Sequence, residues 1–293
     1  MRPLILCLLV LLSPLTAKAA EFADIELADG RRYLGAAPEG IANPPLIIAL
    51  HGGGGSPEQF SRDSGLAPAA MRAGFAIVFP SGTSRRAIGP KVWNAGYCCG
   101  YAPAAGIDDQ AFLTLVIKDA MHRYHADPSR IYITGMSNGA ILAETYAATH
   151  PGSIRAVASV AGTMDVAHVR VRGAVPLLHI HGTADDHVPF AGGKGAKSYV
   201  QTDFASVEDD LAAFRMAIGK PLSAVSDVID PADDGMRTER IRWQTADGHD
   251  QVVLLKVVGG GHHWPGGRRS DRRGATRDID ATREIIAFFR TQP

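Results

Sequence analysis

The chain has little cysteine: three in 293 residues, at positions 7, 98 and 99. A disulfide framework therefore cannot be the basis of the fold, and a cysteine-built metal site lacks ligands. It also lacks a charge excess, because thirty Lys plus Arg balance thirty Asp plus Glu. That balance argues against the basic stripe of a nucleic-acid binder and against an acidic tail, so no nucleic-acid partner is expected. Long apolar runs are missing too. The run from Leu4 to Leu12 is shorter than the roughly 20 residues that span a bilayer, and no second run follows it. No repeat, low-complexity segment or Pro/Gly/Ser linker divides the chain. With 46% hydrophobic and 20% charged residues, one large globular domain is expected.

The first apolar run has a different explanation. Arg2 gives a positive start, Leu4 to Leu12 an apolar stretch, and Ala17-Lys18-Ala19 an A-x-A cleavage site. Residues 1–20 are thus expected to be a secretory signal, residues 21–293 the mature domain, and the protein secreted or periplasmic, with no membrane anchor. Two cysteines then remain, adjacent at 98 and 99. An exported location permits a bridge. Neighbouring Cα atoms are only about 3.8 Å apart across a trans peptide, short of the usual disulfide range. A vicinal bridge and a pair of buried thiols both stand at this point.

Short apolar runs recur at Leu46 to Leu50, Phe75 to Phe79, Ile131 to Thr134, Val157 to Val160, Leu177 to Ile180 and Val252 to Val258. Continuous runs of this length suit strands buried on both faces. Helical patterns lie between them: Phe112, Leu115, Val116 and Ala120 behind Asp108-Asp109, then Ala140 to Ala148, Val207 to Ile218 and Ile279 to Arg290. Strand then helix, repeated, predicts an α/β fold, a mainly parallel sheet with helices on both faces. Phe22 to Tyr33 reads as an antiparallel hairpin turning at Asp29-Gly30.

Gly135-Met136-Ser137-Asn138-Gly139 sits between the run ending at Thr134 and the helix beginning near Ala140. A G-x-S-x-G at a strand-to-helix turn is the pattern of a nucleophile elbow, in which the flanking glycines relieve crowding and leave the hydroxyl exposed. A serine hydroxyl needs a base. Gly259-Gly260-Gly261-His262-His263-Trp264 follows the last strand and offers His262, with His263 as its rival. The acid that orients the base belongs on a loop between serine and histidine. His181-Gly182-Thr183-Ala184-Asp185-Asp186 places two aspartates there. His179 and His181 share a strand face, but no helix-borne ligand pair accompanies them, so neither a metal nor a cofactor is expected. His51-Gly52-Gly53-Gly54-Gly55 follows another strand. Its Gly53 amide, with that of Asn138, would form the oxyanion hole.

At these residues the sequence resembles the polyhydroxybutyrate depolymerase and feruloyl esterase group of secreted α/β-hydrolases. The similarity includes the His51 glycine loop, Trp93-Asn94-Ala95-Gly96-Tyr97-Cys98-Cys99-Gly100, Ile107-Asp108-Asp109, the serine elbow, His181 to Asp185 and Gly261 to Gly266. The resemblance implies the α/β-hydrolase fold, a triad of Ser137, Asp185 rather than Asp186, and His262 rather than His263. It also implies a substrate groove lined by Trp264 and Trp93, whose other reading is core packing. The expected substrate is an ester in a polymer or oligomer, cleaved through an acyl-enzyme.

One local feature widens that expectation. Arg268, Arg269, Arg272, Arg273 and Arg277 follow the His262 loop, and Arg85-Arg86 precede Trp93. If these rim one cleft, Arg268 and Arg269 would favour a polyanionic chain. Poly(aspartic acid) hydrolases resemble the same group and cleave amides, which makes such a polymer an alternative substrate. A non-catalytic binding protein on the same fold is the alternative of another class.

Overall fold

The computed structural model describes residues 22–86, 88–198, 200–268 and 274–292. The expected signal at 1–20 and Arg269, Arg272 and Arg273 lie outside the described residues. Among the described residues ten strands form one sheet: β1 (Ala23–Glu26), β2 (Arg32–Ala36), β3 (Leu46–Leu50), β4 (Ala76–Pro80), β5 (Ile131–Met136), β6 (Ala156–Val160), β7 (Leu177–Gly182), β8 (Ser223–Ile229), β9 (Arg237–Gln244) and β10 (Asp250–Val258). Among the described residues the α-helices are α1 (Pro57–Ser64), α2 (Leu66–Arg72), α3 (Tyr101–Ala104), α4 (Asp109–Tyr124), α5 (Asn138–Thr149), α6 (Val207–Ala217) and α7 (Ala281–Arg290).

The strand order is β1-β2-β4-β3-β5-β6-β7-β10-β9-β8. From β4 through β10 every neighbouring pair is parallel, and antiparallel pairs close both ends. β3, β4, β6 and β7 are buried along their whole length and β5 as far as Gly135, because helices cover both faces. Ile48 and Leu50 pack with Phe112 and Val116 of α4, Ile141 of α5 and Leu211 and Phe214 of α6. Their neighbours Ile47 and Ala49 point the other way, toward Phe60, Leu66 and the α7 residues Ile285 and Phe289. This period-two division of a continuous apolar strand makes two cores from one run of sequence.

The hairpin of β1 and β2 turns at Asp29-Gly30, with Gly30 at a φ of 76°. α4 begins as its acidic start predicts: the Asp108 carboxylate accepts from the Ala111 amide at 2.8 Å. The sequence reading missed β8, β9, α1, α2 and the short α3. β8 is largely exposed and β9 mixes charges with apolar residues, so neither presents a continuous run. Cys98 and Cys99 are bridged to each other. Among the described residues no helix is long and apolar enough to cross a membrane.

Candidate active site

Parallel strands end on one side of a sheet, so the segments leaving β3, β5, β7 and β10 open on the same edge. They carry the His51 glycine loop, Ser137, Asp185 and His262. Ser137 turns between β5 and α5 with φ 55° and ψ −124°, a left-handed φ that a non-glycine residue adopts only under local constraint. Two glycines permit the turn. A Cβ on Gly135 would meet the Gly139 backbone at 2.5 Å, and one on Gly139 would meet the His51 carbonyl at 2.4 Å. The Ser137 amide donates to the Val160 carbonyl at 2.8 Å, which ties the elbow to β6.

The acid and base loops are fastened to each other. The Ala184 amide donates to Gly260 O at 2.8 Å, and the Gly259 amide to Thr183 Oγ1 at 2.9 Å. A Cβ on Gly182 would lie 2.2 Å from Gly260 O, so only glycine allows this approach. His262 Nδ1 is 2.7 Å from Asp185 Oδ2. The carboxylate only accepts here, so a proton sits on Nδ1, and in the neutral ring Nε2 keeps its lone pair. Asp185 Oδ1 accepts from the amides of His187 and Val188 at 2.8 and 2.9 Å. Burial pushes the Asp185 pKa up, but the His262 hydrogen bond and charge, with the backbone donor, outweigh it and hold it below the ordinary carboxylate value.

The two adjacent pairs named in the sequence are separated by this geometry. Asp186 faces away, its carboxylate 2.8 Å from both Lys197 Nζ and His187 Nδ1. His263 lies against Gly261 and Gly274, while His262 pairs with Asp185.

Gly52 and Gly53 lie against Ser137 and Asn138. The Asn138 side chain is occupied: Oδ1 accepts from the Trp93 amide at 2.7 Å, and Nδ2 donates to Trp93 O at 3.1 Å. Its backbone N–H, at the first position of α5, belongs to the group that an α-helix leaves without an internal acceptor. His51 shapes the glycine loop from below. Its Nδ1 donates to Gly52 O at 2.8 Å and its Nε2 accepts from the Gly82 amide at 3.1 Å. Burial pushes its pKa down to about 4, so the ring is neutral.

The two tryptophans correct the sequence expectation. Trp93 is 0% exposed, its Nε1 donating to His51 O at 2.8 Å, and it forms the floor beneath the glycine loop. Trp264 is 8% exposed, donates to Thr282 Oγ1 at 3.1 Å and meets Phe60 edge-on at 5.2 Å. Both indoles are core, because each needs a buried acceptor for its N–H and finds one away from solvent. Arg85, Arg86 and Arg268 are exposed, and Arg268 is held through its amide on Asp63 O at 2.8 Å.

Two features escaped the sequence reading. His187 stacks on His262, with ring centroids 4.7 Å apart and planes at 18°. Behind Asp185, His181, His179, Glu144 and Asp210 form a fully buried polar cluster. The signal for the second was the i, i+2 spacing of His179 and His181 on a strand. The groups they meet come from α5 and α6, which spacing alone does not bring to β7.

Residues 32–199 match the family model described as Esterase PHB depolymerase. The NocK protein of Nocardia uniformis subsp. tsuyamanensis, which carries an esterase designation, is 34% identical over 256 residues, covering 79% of this chain and 68% of that protein. Feruloyl esterase B of Neurospora crassa is 31% identical over 138 residues, 47% of this chain; the match spans 44% of that relative's length. Among solved structures, the acetyl xylan esterase from Aspergillus awamori superposes with a TM-score of 0.60 at 16% identity, covering 92% of this chain and 99% of that one. That likeness concerns the fold, which is the α/β-hydrolase fold.

Proposed function

Because the chain belongs to the Esterase PHB depolymerase family and is a serine hydrolase of carboxylic esters, we propose that it removes acyl groups from soluble plant cell-wall oligosaccharides, with acetyl and hydroxycinnamoyl esters as the substrate class. The observation that carries the chemistry is the 2.7 Å bond between His262 Nδ1 and Asp185 Oδ2, which leaves Nε2 as a free base on the sheet edge where the Ser137 elbow opens. The substrate class is supported by the names of the feruloyl and acetyl xylan esterases that the chain is similar to.

In the proposed reaction His262 Nε2 takes the proton of Ser137 Oγ as the oxygen attacks the ester carbonyl. The amides of Gly53 and Asn138 hold the oxyanion. The imidazolium, stabilised by Asp185, gives its proton to the departing alcohol, and a water activated by the same nitrogen then frees the acid. Before this chemistry the chain is exported on the signal at residues 1–20, which an N-terminus near Glu21 in the mature protein would confirm.

The test is a panel of feruloyl and acetyl xylo-oligosaccharides, hydroxybutyrate oligomers and polyaspartate, compared by kcat/KM. The expected ranking puts the carbohydrate esters first. Preferred turnover of polyaspartate, with loss of rate on added salt, would overturn the substrate class. A serine-directed phosphonate is expected to label Ser137. Failure to label it, with turnover surviving Ser137→Ala, would overturn the mechanism.

A further inference from the structure

Behind the Asp185 loop lies a line of hydrogen bonds that the reaction as written does not use. His181 Nε2 is 2.8 Å from Val188 O and 3.5 Å from Asp185 Oδ2. His181 Nδ1 is 3.1 Å from His179 Nε2, with the two rings parallel to within 5°. His179 Nδ1 is 3.0 Å from Glu144 Oε1 and 3.7 Å from Asp210 Oδ2. The Glu144, His179, His181 and Asp210 side chains all lie at or below 1% exposure.

The proton positions follow from one fixed end. Val188 O only accepts, so His181 carries its proton on Nε2. A neutral His181 then has a bare Nδ1, and His179 must donate to it from Nε2. A neutral His179 has a bare Nδ1 in turn, so Glu144 Oε1 must be the donor, which requires a carboxylic acid. Were Glu144 ionised with the imidazole protons so placed, two acceptors would meet at 3.0 Å, and a charged His179, which would remove that clash, is opposed by burial. The far end agrees: Glu144 Oε2 and both Asp210 oxygens are buried and sit in no well-formed hydrogen bond as carboxylates, and a proton on Asp210 supplies one.

We infer that Asp210, Glu144, His179 and His181 form an uncharged, one-directional donor chain in which the Glu144 proton sets both imidazole tautomers and aims His181 Nε2–H at the loop carrying Asp185. The four are positioning residues for the triad acid, an inference that rests on the triad proposed above. Val188 is where the two systems meet: its carbonyl accepts from His181 and its amide donates to Asp185 Oδ1. Loss of the Glu144 proton reverses the chain. His179 then donates from Nδ1, His181 donates from Nδ1, and a bare His181 Nε2 is left facing Val188 O and Asp185 Oδ2.

The surroundings support a neutral chain. Glu144 on α5 is met by His179 from β7, Asp210 from α6, the Ser159 hydroxyl from β6 and the Met164 amide, with the Tyr97 hydroxyl nearby; Asp210, Ser159 and Met164 favour its charged form, and burial outweighs all three. No Lys or Arg is among them. Burial pushes Glu144 up to about 8 and raises Asp210 well above its ordinary value. It pushes His179 and His181 down to about 4 and about 3.

The experiment measures kcat, KM and Tm from pH 5 to 10 for the full chain and for Glu144→Gln and His181→Ala, with an activated aryl acetate as probe. The Gln amide donates to His179 Nδ1 but does not ionise. Wild-type kcat is expected to fall at least about threefold between pH 8 and 9.5 as Glu144 ionises, with Glu144→Gln abolishing that fall. His181→Ala is expected to lower kcat about tenfold or more with KM within about twofold, since only the orientation of the acid is lost.

The Tm arm needs no substrate. Glu144 stays protonated in the fold but ionises in the unfolded chain above its ordinary value, so the stability it contributes is lost as pH rises toward about 8. Relative to wild type, Glu144→Gln is expected to gain about 2 °C per pH unit between pH 5 and 8. A Tm difference independent of pH, or an alkaline limb that survives in Glu144→Gln, overturns the inference. So does one bound divalent ion per chain that Glu144→Gln releases. An enzyme that turns over no ester would break the functional reading, and the Tm arm would still decide this one.

Discussion

His262 with Asp185 and His179 with Glu144 are the same two chemical groups at nearly the same distance, 2.7 and 3.0 Å, yet their carboxyls move in opposite directions. Asp185 falls below its ordinary value, while Glu144 is pushed up to about 8. The difference lies in what else each carboxyl meets. Asp185 receives two backbone amides within 2.9 Å and a partly exposed imidazole. Glu144 has another acid beside it and an imidazole that is wholly enclosed. A His–carboxylate contact therefore does not by itself identify a charged pair. Donors to the second oxygen and access to water decide which side holds the proton.

Asp185→Asn is the change that breaks the comparison most sharply. An amide in place of the carboxylate can present N–H to His262 Nδ1, which moves the imidazole proton to Nε2 and removes the base. Turnover is expected to fall by about ten-thousand-fold with the fold intact, read as kcat on an aryl acetate. A loss below about tenfold would mean that His262 does not depend on Asp185 for its tautomer. The same carboxyl-to-amide exchange at Glu144 keeps a donor where one already stands, so the two variants together test whether the protons are placed as described.

The pair also differ in the pH at which they affect stability. Because the folded Asp185 pKa is depressed, its contribution is present above the ordinary carboxylate value and is lost as pH falls through the folded value. Relative to wild type, Asp185→Asn is expected to lose less Tm on acidification from pH 5 to 3, the reverse window to that of Glu144. Equal acid sensitivity in variant and wild type would show that Asp185 is not held ionised by the fold.

What could be read from sequence follows from how tightly each position is constrained. The buried parallel strands were legible because burial on both faces demands an unbroken apolar run: Leu46–Leu50 is β3 to the residue. β8 and β9 were not, since Ser223–Ile229 is largely exposed, Arg237–Gln244 is mostly half-buried, and both carry polar residues among the apolar ones. At the site, the glycines flanking Ser137 were legible because sterics allow nothing larger. The tryptophans were misread, since the side that an indole faces depends on the reach of Thr282 and of His51 O. Glu144 was hidden inside Ala140 to Ala148, a helix buried on nearly every side whose pattern marks no position as polar.

His263→Ala sharpens the assignment of the base at smaller scale. Its ring lies against Gly261 and Gly274, and its amide donates to Gly261 O at 3.0 Å. Truncation removes packing from the loop but leaves the His262 contact with Asp185 untouched. A loss of kcat/KM below about tenfold is expected, against more than about a thousandfold for His262→Ala. The reverse order would exchange the two roles.

The smallest effect expected is that of Asp186→Asn, and it tests the comparison from outside. Asp186 adjoins Asp185 in sequence and also contacts a histidine, yet its side chain is 38% exposed and its partners are Lys197, itself 71% exposed, and His187. Such a pair is screened by solvent and contributes little. Its depressed pKa comes first from the Lys197 hydrogen bond, not from the base that pairs with Asp185. Turnover is therefore expected to stay within about twofold of wild type, with any change arriving through His187, which stacks on His262. A large loss of kcat in Asp186→Asn, measured beside Asp185→Asn, would mean that the stacked His187 and its acid carry part of the work ascribed to Asp185. The protonation of His262 would then depend on two carboxylates rather than one.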